Sequence, residues 1–158
     1  MHHQCVCIIL YADDILLLAP SVDSLQKLFL LCELELNALG MLINESKTVC
    51  MRIGPRFKAK CANIVTAAGN TLDWVQELRY LGVFFVSSCK FKCVFDNAKK
   101  AFYRSFNAVY GHVGKTASEE VILSLIQAKC LPVLLYGVDV CSINVTDKRS
   151  LEFTVTVL

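Results

Sequence analysis

The feature that most constrains this chain is the segment at residues 11–14, which reads Tyr-Ala-Asp-Asp and lies between two apolar runs. Residues 5–10 and 15–19 are short and aliphatic, and a Pro-Ser pair closes the second run. Short apolar runs around a polar turn predict a β-hairpin with the acids at its tip. A solvated Asp-Asp turn is one interpretation, because Asp favours turns. The other is a site for Mg²⁺ or Mn²⁺, since adjacent carboxylates repel each other unless a cation binds them, and hard cations prefer carboxylate oxygens.

Composition indicates an intracellular protein with more apolar surface than it can bury alone. Of the 158 residues, 55% are hydrophobic and only 19% are charged, and the mean hydropathy is +0.51. No uninterrupted apolar run reaches the roughly 18 residues of a membrane span. Residues 1–4 lack the basic start of a signal peptide. We therefore expect a cytoplasmic or nuclear protein that does not bind a membrane, and apolar surface that further chain would cover.

Nine cysteines are scattered singly along the sequence. In an intracellular protein such cysteines are expected to be reduced thiols of the core, and Cys89 and Cys93 fit this description. A zinc site near the N-terminus is the alternative. The candidate ligands are His2, His3, Cys5 and Cys7. Cys5 and Cys7 alternate along one strand face, and the chain has no second ligand pair at zinc-like spacing.

The order of elements predicts an α+β fold. Apolar residues at helical spacing predict a helix that Asp23 caps and Gly40 ends. Two short strands around a polar turn follow at residues 41–53, and a second hairpin-like unit follows at residues 71–86. From residue 91 the pattern is helical, and the last segment has Thr146 as its expected cap. The sequence thus predicts a β-rich part to about residue 90 and a helical remainder.

The first helix after residue 90 has two contrasting faces. One face is apolar and the other is basic, which is typical of a solvated helix and also suits a phosphate backbone. The basic residues that define this face are Lys99, Lys100 and Arg104.

Four segments, in order and at matching spacings, resemble the reverse transcriptases of non-LTR (LINE-type) retrotransposons. Residues 11–14 are similar to the catalytic hairpin of that family, and residues 40–48 (Gly-Met-Leu-Ile-Asn-Glu-Ser-Lys-Thr) are similar to its Gly-Leu-x-Ile-Asn-x-x-Lys-Thr segment. Residues 80–83 (Tyr-Leu-Gly-Val) resemble its primer-grip strand. Residues 131–137 (Leu-Pro-Val-Leu-Leu-Tyr-Gly) resemble a thumb segment. Together the four segments cover nearly the whole chain.

The resemblance implies a fold and an activity. Residues 1–90 would form part of a polymerase palm, an antiparallel sheet with a packed helix and the primer-grip hairpin, and residues 91–158 would form a truncated helical thumb. The activity would be RNA-directed DNA synthesis by two-metal nucleotidyl transfer. Mg²⁺ or Mn²⁺ would be the cofactor, and the RNA template, the DNA primer and dNTP would be the partners.

The resemblance also implies roles for individual residues. Asp13 would be the principal metal ligand, with Asp14 beside it, and Lys47 would neutralise or protonate the leaving phosphate. The nucleic acid would meet three groups of residues. Tyr11 would border the primer terminus. The primer grip, Tyr80, Leu81 and Gly82, would hold the primer backbone. The basic helix face, Lys99, Lys100 and Arg104, would follow the duplex.

The chain also departs from the family pattern. The family supplies another essential carboxylate from an earlier palm strand and grips dNTP with a fingers lobe, and only ten residues precede Tyr11. Cys141 stands where the family often has Trp. We therefore expect a fragment that is inactive without the N-terminal palm and fingers segment. Two alternatives remain open, a non-catalytic retrotransposon remnant that at most binds nucleic acid, and an unrelated Mg²⁺-dependent phosphotransferase, which would leave the later segments unexplained.

Overall fold

A computed structural model of the chain describes residues 7–114, 116–141 and 143–156. Helices and strands mix along these residues, which confirms the predicted α+β class. The strands are β1 (Cys7–Tyr11), β2 (Asp14–Leu18), β3 (Val49–Cys50), β4 (Ile64–Val65), β5 (Thr71–Trp74), β6 (Glu77–Tyr80), β7 (Val83–Val86) and β8 (Cys93–Val94). The α-helices are α1 (Val22–Ala38), α2 (Asp96–Val113), α3 (Glu119–Leu125), α4 (Leu131–Leu135) and α5 (Val145–Thr156).

The described chain falls into two compact units. The first unit comprises Met1–Arg52 and Arg56–Gln76, and the second comprises Ile53–Pro55 and Glu77–Leu158. The β6–β7 hairpin therefore belongs to the same unit as the helices that follow it. The division into a palm part (residues 1–90) and a thumb part (residues 91–158), which the resemblance implies, stays a prediction.

The first unit packs α1 over short strands. β1 and β2 form an antiparallel hairpin, while β5 lies between β3, which is parallel to it, and β4, which is antiparallel. The core contains one aromatic side chain from α1 and three residues of the small sheet, all almost fully buried: Phe29, Cys50, Ile64 and Leu72. The helix predicted before Gly40 is thus present, and its apolar side covers the strands.

The ends of α1 show which local signals act. Ser21, and not the predicted Asp23, is the N-cap: its hydroxyl accepts a hydrogen bond from the backbone N–H of Ser24 at 3.2 Å. Asp23 instead lies in the first turn, where the helix dipole favours an acid. At the other end Gly40 has φ +74°, and its N–H donates to the carbonyl of Asn37 at 3.0 Å. Gly40 therefore ends the helix as predicted, in the left-handed conformation that glycine adopts without strain.

The second unit is built around α2. β6, β7 and β8 form an antiparallel sheet. Phe102 of α2 is fully buried beside Cys130 and Leu134, which belong to the helical chain after α3. A π-helical segment, Ile126–Cys130, joins α3 to α4, and a short 3-10 segment, Val138–Val140, follows α4.

The last helix begins differently from the prediction. The side-chain carbonyl of Asn144 accepts a hydrogen bond from the N–H of Asp147 at 2.7 Å, so Asn144 and not Thr146 caps α5. Upstream, the strand predicted around residues 41–43 does not form in the described chain. Residues 41–44 have no regular structure, and the first strand after α1 is β3.

Two buried cysteines contradict the prediction that all nine are reduced. Cys93 of β8 and Cys141, which follows the 3-10 segment, form a disulfide within the core of the second unit. The prediction of a core position was right for Cys93 and wrong for Cys89, whose thiol is exposed. The prediction of a free thiol at Cys93 was wrong, because its partner lies 48 residues away and no local pattern indicates it. Free thiols remain at Cys7, Cys32, Cys50, Cys61, Cys89 and Cys130. The alternative zinc ligands His2, His3 and Cys5 lie outside the described residues.

One apolar stretch of the described chain, Glu119–Val140, which extends from α3 through α4 to the 3-10 segment, is long enough to cross a membrane by length and composition. These two criteria are weak support for a membrane span, because core helices satisfy them as well. Ile126, Cys130 and Leu134 of this run are buried against α2.

Candidate active site

The paired acids lie at the tip of a tight hairpin, as predicted. The ladder runs from Cys7 opposite Leu18 to Tyr11 opposite Asp14, so Ala12 and Asp13 form a two-residue loop. Asp14 is the first residue of β2. Ala12 has φ +49°, a left-handed conformation that is unfavourable for a residue with a side chain. Such backbone strain is found at functional sites, where the fold holds a residue in an unusual position.

The tip of this hairpin is accessible. Asp13 and Asp14 are exposed, and Tyr11, the residue before the loop, is 62% exposed. Neither acid forms an ion pair with another described residue. Two free carboxylates on adjacent residues are therefore open to a ligand that approaches the tip.

The donor chemistry of the tip fits a hard divalent cation in kind. Carboxylate oxygens are what Mg²⁺ and Mn²⁺ prefer, and cysteine and histidine are not needed. The described residues contain no group of three or more His, Cys, Asp or Glu side chains that could hold a metal ion. Asp13 and Asp14 therefore supply two carboxylates, and any third ligand has to come from elsewhere.

Lys47 lies in a turn that Asn44 organises. The side-chain carbonyl of Asn44 accepts a hydrogen bond from the Ser46 hydroxyl at 2.7 Å, and its backbone carbonyl accepts from the Lys47 N–H and the Thr48 hydroxyl at 3.1 and 2.8 Å. The Lys47 side chain is exposed, and no ion pair joins it to a described residue. The Asn-x-x-Lys-Thr spacing thus has a structural reason, which is that Asn44 closes the turn carrying Lys47.

The predicted primer-grip segment is a second tight hairpin. β6 and β7 pair up to Tyr80 opposite Val83, which leaves Leu81 and Gly82 as the loop. Leu81 has φ +47° and Gly82 has φ +83°. Two left-handed loop residues are the signature of a type I′ turn, whose twist suits a hairpin. Both loop residues are exposed, so the tip is accessible for binding.

One partner of this hairpin, Tyr136, was not predicted, although it lies in the segment at residues 131–137 that resembles a thumb segment. The Tyr136 hydroxyl, at the end of α4, donates a hydrogen bond to the Leu81 carbonyl at 2.8 Å. Gly137 follows with φ +75°. The dihedral angles of these two residues match the centre of a type II turn, in which the third position requires glycine. Two of the four segments that carry the resemblance therefore contact each other in the second unit.

The basic face of α2 is not uniform. Lys99 forms an ion pair with Asp96 at 2.6 Å and donates a hydrogen bond to the Ser150 hydroxyl of α5 at 3.0 Å. The hydrogen bond from Lys99 and its charge hold the pKa of the Asp96 carboxyl below its ordinary value. Lys100 and Arg104 are exposed and lie one turn apart. The structure thus assigns Lys99 to an internal contact and leaves the other two cations available.

The predicted site residues are divided between the two units. Tyr11, Asp13, Asp14 and Lys47 belong to the first unit. The predicted primer-grip hairpin and the basic face belong to the second unit, and their predicted site residues are Tyr80, Leu81, Gly82, Lys99, Lys100 and Arg104. The phenol oxygen of Tyr80 is buried and has no hydrogen-bond partner among the described residues.

Comparison with protein families gives a match that covers both hairpins. The sequence model described as reverse transcriptase (RNA-dependent DNA polymerase) matches residues 1–85 of the 158. The chain belongs to the reverse transcriptase family. The match contains the acidic tip, Lys47 and the Leu81–Gly82 loop, and it ends before α2. Comparisons with curated proteins and with solved structures gave no significant match.

Proposed function

We propose that this chain is the palm and thumb portion of an RNA-directed DNA polymerase of the LINE type, with Asp13 and Asp14 as metal-binding carboxylates of the palm. The observation that carries the proposal is the exposed pair of acids at the tip of the β1–β2 hairpin, inside the span that matches the family. RNA template, DNA primer and dNTP would be the substrates of the complete polymerase.

The metal chemistry rests on the two acids of the tip. A pair of Mg²⁺ or Mn²⁺ ions, when bound, activates the primer 3′-hydroxyl and stabilises the leaving pyrophosphate. Asp13, in the loop, and Asp14, at the start of β2, would hold these ions through their exposed oxygens. Since the described residues contain no third acid at the tip, we propose that an earlier palm segment completes the cluster.

The other side chains of the site would bind and orient. Tyr11, at the base of the acidic loop, would border the primer terminus with its exposed ring. Lys47 would neutralise the leaving phosphate or donate a proton to it, because its ammonium is free of internal ion pairs among the described residues. Tyr80, Leu81 and Gly82 would hold the primer backbone at the exposed tip of the β6–β7 hairpin.

The helical part would follow the duplex. Lys100 and Arg104 lie one turn apart on the exposed side of α2 and would neutralise successive phosphates. Lys99 would contribute less than the sequence predicted, because Asp96 already neutralises it. This arrangement supports assignment of α2 to a thumb that contacts the template–primer duplex.

A second candidate function has one observation in its favour. The described chain offers two carboxylates at the tip and no cluster of three. A non-catalytic remnant that binds nucleic acid through the basic face of α2 would need no more than this. The two candidates differ in one consequence, since only a polymerase portion becomes active when the other palm carboxylate and the fingers are supplied.

Complementation separates the two candidates. The isolated chain is expected to show no primer extension, and Mg²⁺-dependent extension by the pure chain that Asp13→Asn abolishes would overturn that expectation. If the chain is a polymerase portion, addition of a reverse transcriptase segment that carries the fingers and the first palm carboxylate should restore RNA-templated extension. A remnant would bind the duplex without extending the primer.

A further inference from the structure

The hairpin tip formed by Leu81 and Gly82 is held from outside by α4. Leu81 lies outside the β6–β7 ladder, so no strand partner pairs with its carbonyl. The Tyr136 hydroxyl, 55 residues away in sequence, donates to this carbonyl at 2.8 Å. Tyr136 therefore satisfies a polar group that would otherwise depend on solvent.

The contact also depends on two glycines. A Cβ atom on Gly82 would lie 2.9 Å from Cε1 of Tyr136, and a Cβ atom on Gly137 would lie 2.6 Å from Cγ2 of Val83. Both distances are closer than carbon atoms approach each other. The Tyr-Leu-Gly-Val loop and the Tyr-Gly turn thus pack closely at two residues without a side chain, and a Cβ atom at either would force a neighbouring side chain to move.

The loop needs such support because of its backbone. Leu81 adopts φ +47°, which costs a residue with a side chain about 1–2 kcal/mol. A type I′ loop prefers Asn, Asp or Gly at this position, and none of them is present. An external hydrogen bond to the loop therefore favours a conformation that the loop sequence alone does not.

Burial does not explain the position of Tyr136. Its side chain is 60% exposed, and Leu81 is 37% exposed. The ring contributes little to the core of the second unit, which is formed by Phe102, Cys130 and Leu134 among others. The hydroxyl and its bond to Leu81 are therefore the specific feature of this side chain.

We propose that Tyr136 is a positioning residue, which fixes the Leu81–Gly82 loop in the conformation that grips the primer 3′ end. The inference rests on the proposed function, because it assumes that this loop contacts the primer. In this role, Tyr136 and Gly137 connect the helices of the second unit to the β6–β7 hairpin.

The test uses the whole chain and the substitution Tyr136→Phe, which removes the hydroxyl and keeps the ring. The matched control is Tyr110→Phe, because Tyr110 is an exposed tyrosine of α2 in the same unit. The first measurement is hydrogen exchange of the loop amides without nucleic acid. Exchange should become about fivefold faster in Tyr136→Phe, which corresponds to loss of one hydrogen bond of about 1 kcal/mol, and should not change in Tyr110→Phe.

The second measurement maps the primer on the protein. An RNA–DNA hybrid whose primer ends in 4-thiothymidine is crosslinked at saturating protein, and the peptide containing residues 80–83 is quantified by mass spectrometry. Crosslinking to this peptide should fall at least threefold in Tyr136→Phe. The melting temperature and the total amount of bound duplex should stay close to those of the unsubstituted chain, because the core and the cations of α2 are intact.

The outcomes separate this inference from the proposed function. Unchanged loop exchange in Tyr136→Phe would overturn the positioning role whatever the crosslinks show. Faster exchange with unchanged crosslinking in a chain that binds the hybrid would also overturn it, and would leave the proposed function standing. If the unsubstituted chain neither binds nor crosslinks the hybrid, the proposed function itself is contradicted, and the positioning role of Tyr136 fails with it.

Discussion

Two residues with side chains adopt left-handed backbone conformations in the described chain, and both are at hairpin tips of the candidate site. Ala12 precedes Asp13 in the acidic loop, and Leu81 precedes Gly82 in the β6–β7 loop. A residue other than glycine in the left-handed conformation lowers the stability of the fold, and this conformation persists where the surrounding structure requires it. For Leu81 that requirement is visible as the hydrogen bond from Tyr136.

At the same scale, the free cysteines should differ strongly in reactivity. Burial, followed by the nearby Cys61, raises the pKa of the Cys50 thiol to about 11. A raised pKa keeps this thiol neutral at pH 8, and the thiolate is the reactive form. Cys7 and Cys89 are exposed. Iodoacetamide at pH 8 should therefore modify Cys7 and Cys89 at least ten times faster than Cys50, as measured by mass spectrometry of the folded chain.

The control for this prediction is the same reaction in denaturant, where the differences should vanish because burial is lost. Fast modification of Cys50 in the folded chain would show that β3 is not packed under α1 as described.

Among the helices and strands, the sequence predicted correctly those features that interactions between neighbouring residues determine. The acidic hairpin, the position of α1 and its end at Gly40 all follow from nearby residues, and all three were predicted correctly. The N-cap was misplaced by two residues because Ser21 and Asp23 are both capable caps. The strand near residue 42 was wrong because the turn organised by Asn44 leaves that segment without a ladder partner.

The two faces of α2 give a prediction at this scale. Lys100→Ala with Arg104→Ala removes two available cations, whereas Lys99→Ala removes a cation that Asp96 already neutralises. Each lost phosphate contact lowers the salt dependence of duplex binding by a slope of roughly 0.9. Titration of an RNA–DNA hybrid at several salt concentrations should show a slope reduced by about 1–2 in the double variant and by less than about 0.5 in Lys99→Ala.

A matched control removes the same charge elsewhere in the second unit. Lys129→Ala with Arg149→Ala takes two exposed cations that form no ion pair with a described residue, and the slope should change less than in the α2 variant. Equal effects of the two double variants would show that net charge, and not the α2 face, determines binding.

At the scale of the whole molecule, contacts between distant segments were beyond sequence reasoning. The Tyr136–Leu81 bond joins residues 55 apart, and the Cys93–Cys141 disulfide joins residues 48 apart. No local pattern identifies such partners, because periodicity and turn chemistry act over a few residues. The family resemblance placed both Tyr136 and Leu81 in meaningful segments but did not indicate that they touch.

The disulfide should contribute measurably to the second unit. Closing a loop of about 48 residues constrains the unfolded chain by an amount worth about 2–4 kcal/mol. Reduction, or Cys141→Ala, should therefore lower the free energy of unfolding by that order in urea denaturation. Cys89→Ala serves as the control, because this thiol is free and exposed. A stability that is insensitive to reductant would mean that the bond does not form in solution.

RNA-templated primer extension in a complemented reaction shows whether Asp13 and Asp14 are polymerase carboxylates. The chain is combined with a reverse transcriptase segment that supplies the fingers and the first palm carboxylate, and dNTP incorporation is measured with Mg²⁺. We expect primer extension that Asp13→Asn reduces at least a hundredfold. Asp23→Asn, which changes an exposed acid of α1, should leave extension unchanged. Extension that persists in Asp13→Asn, or no extension at all by a complemented chain that binds the duplex, would show that Asp13 and Asp14 are not polymerase carboxylates.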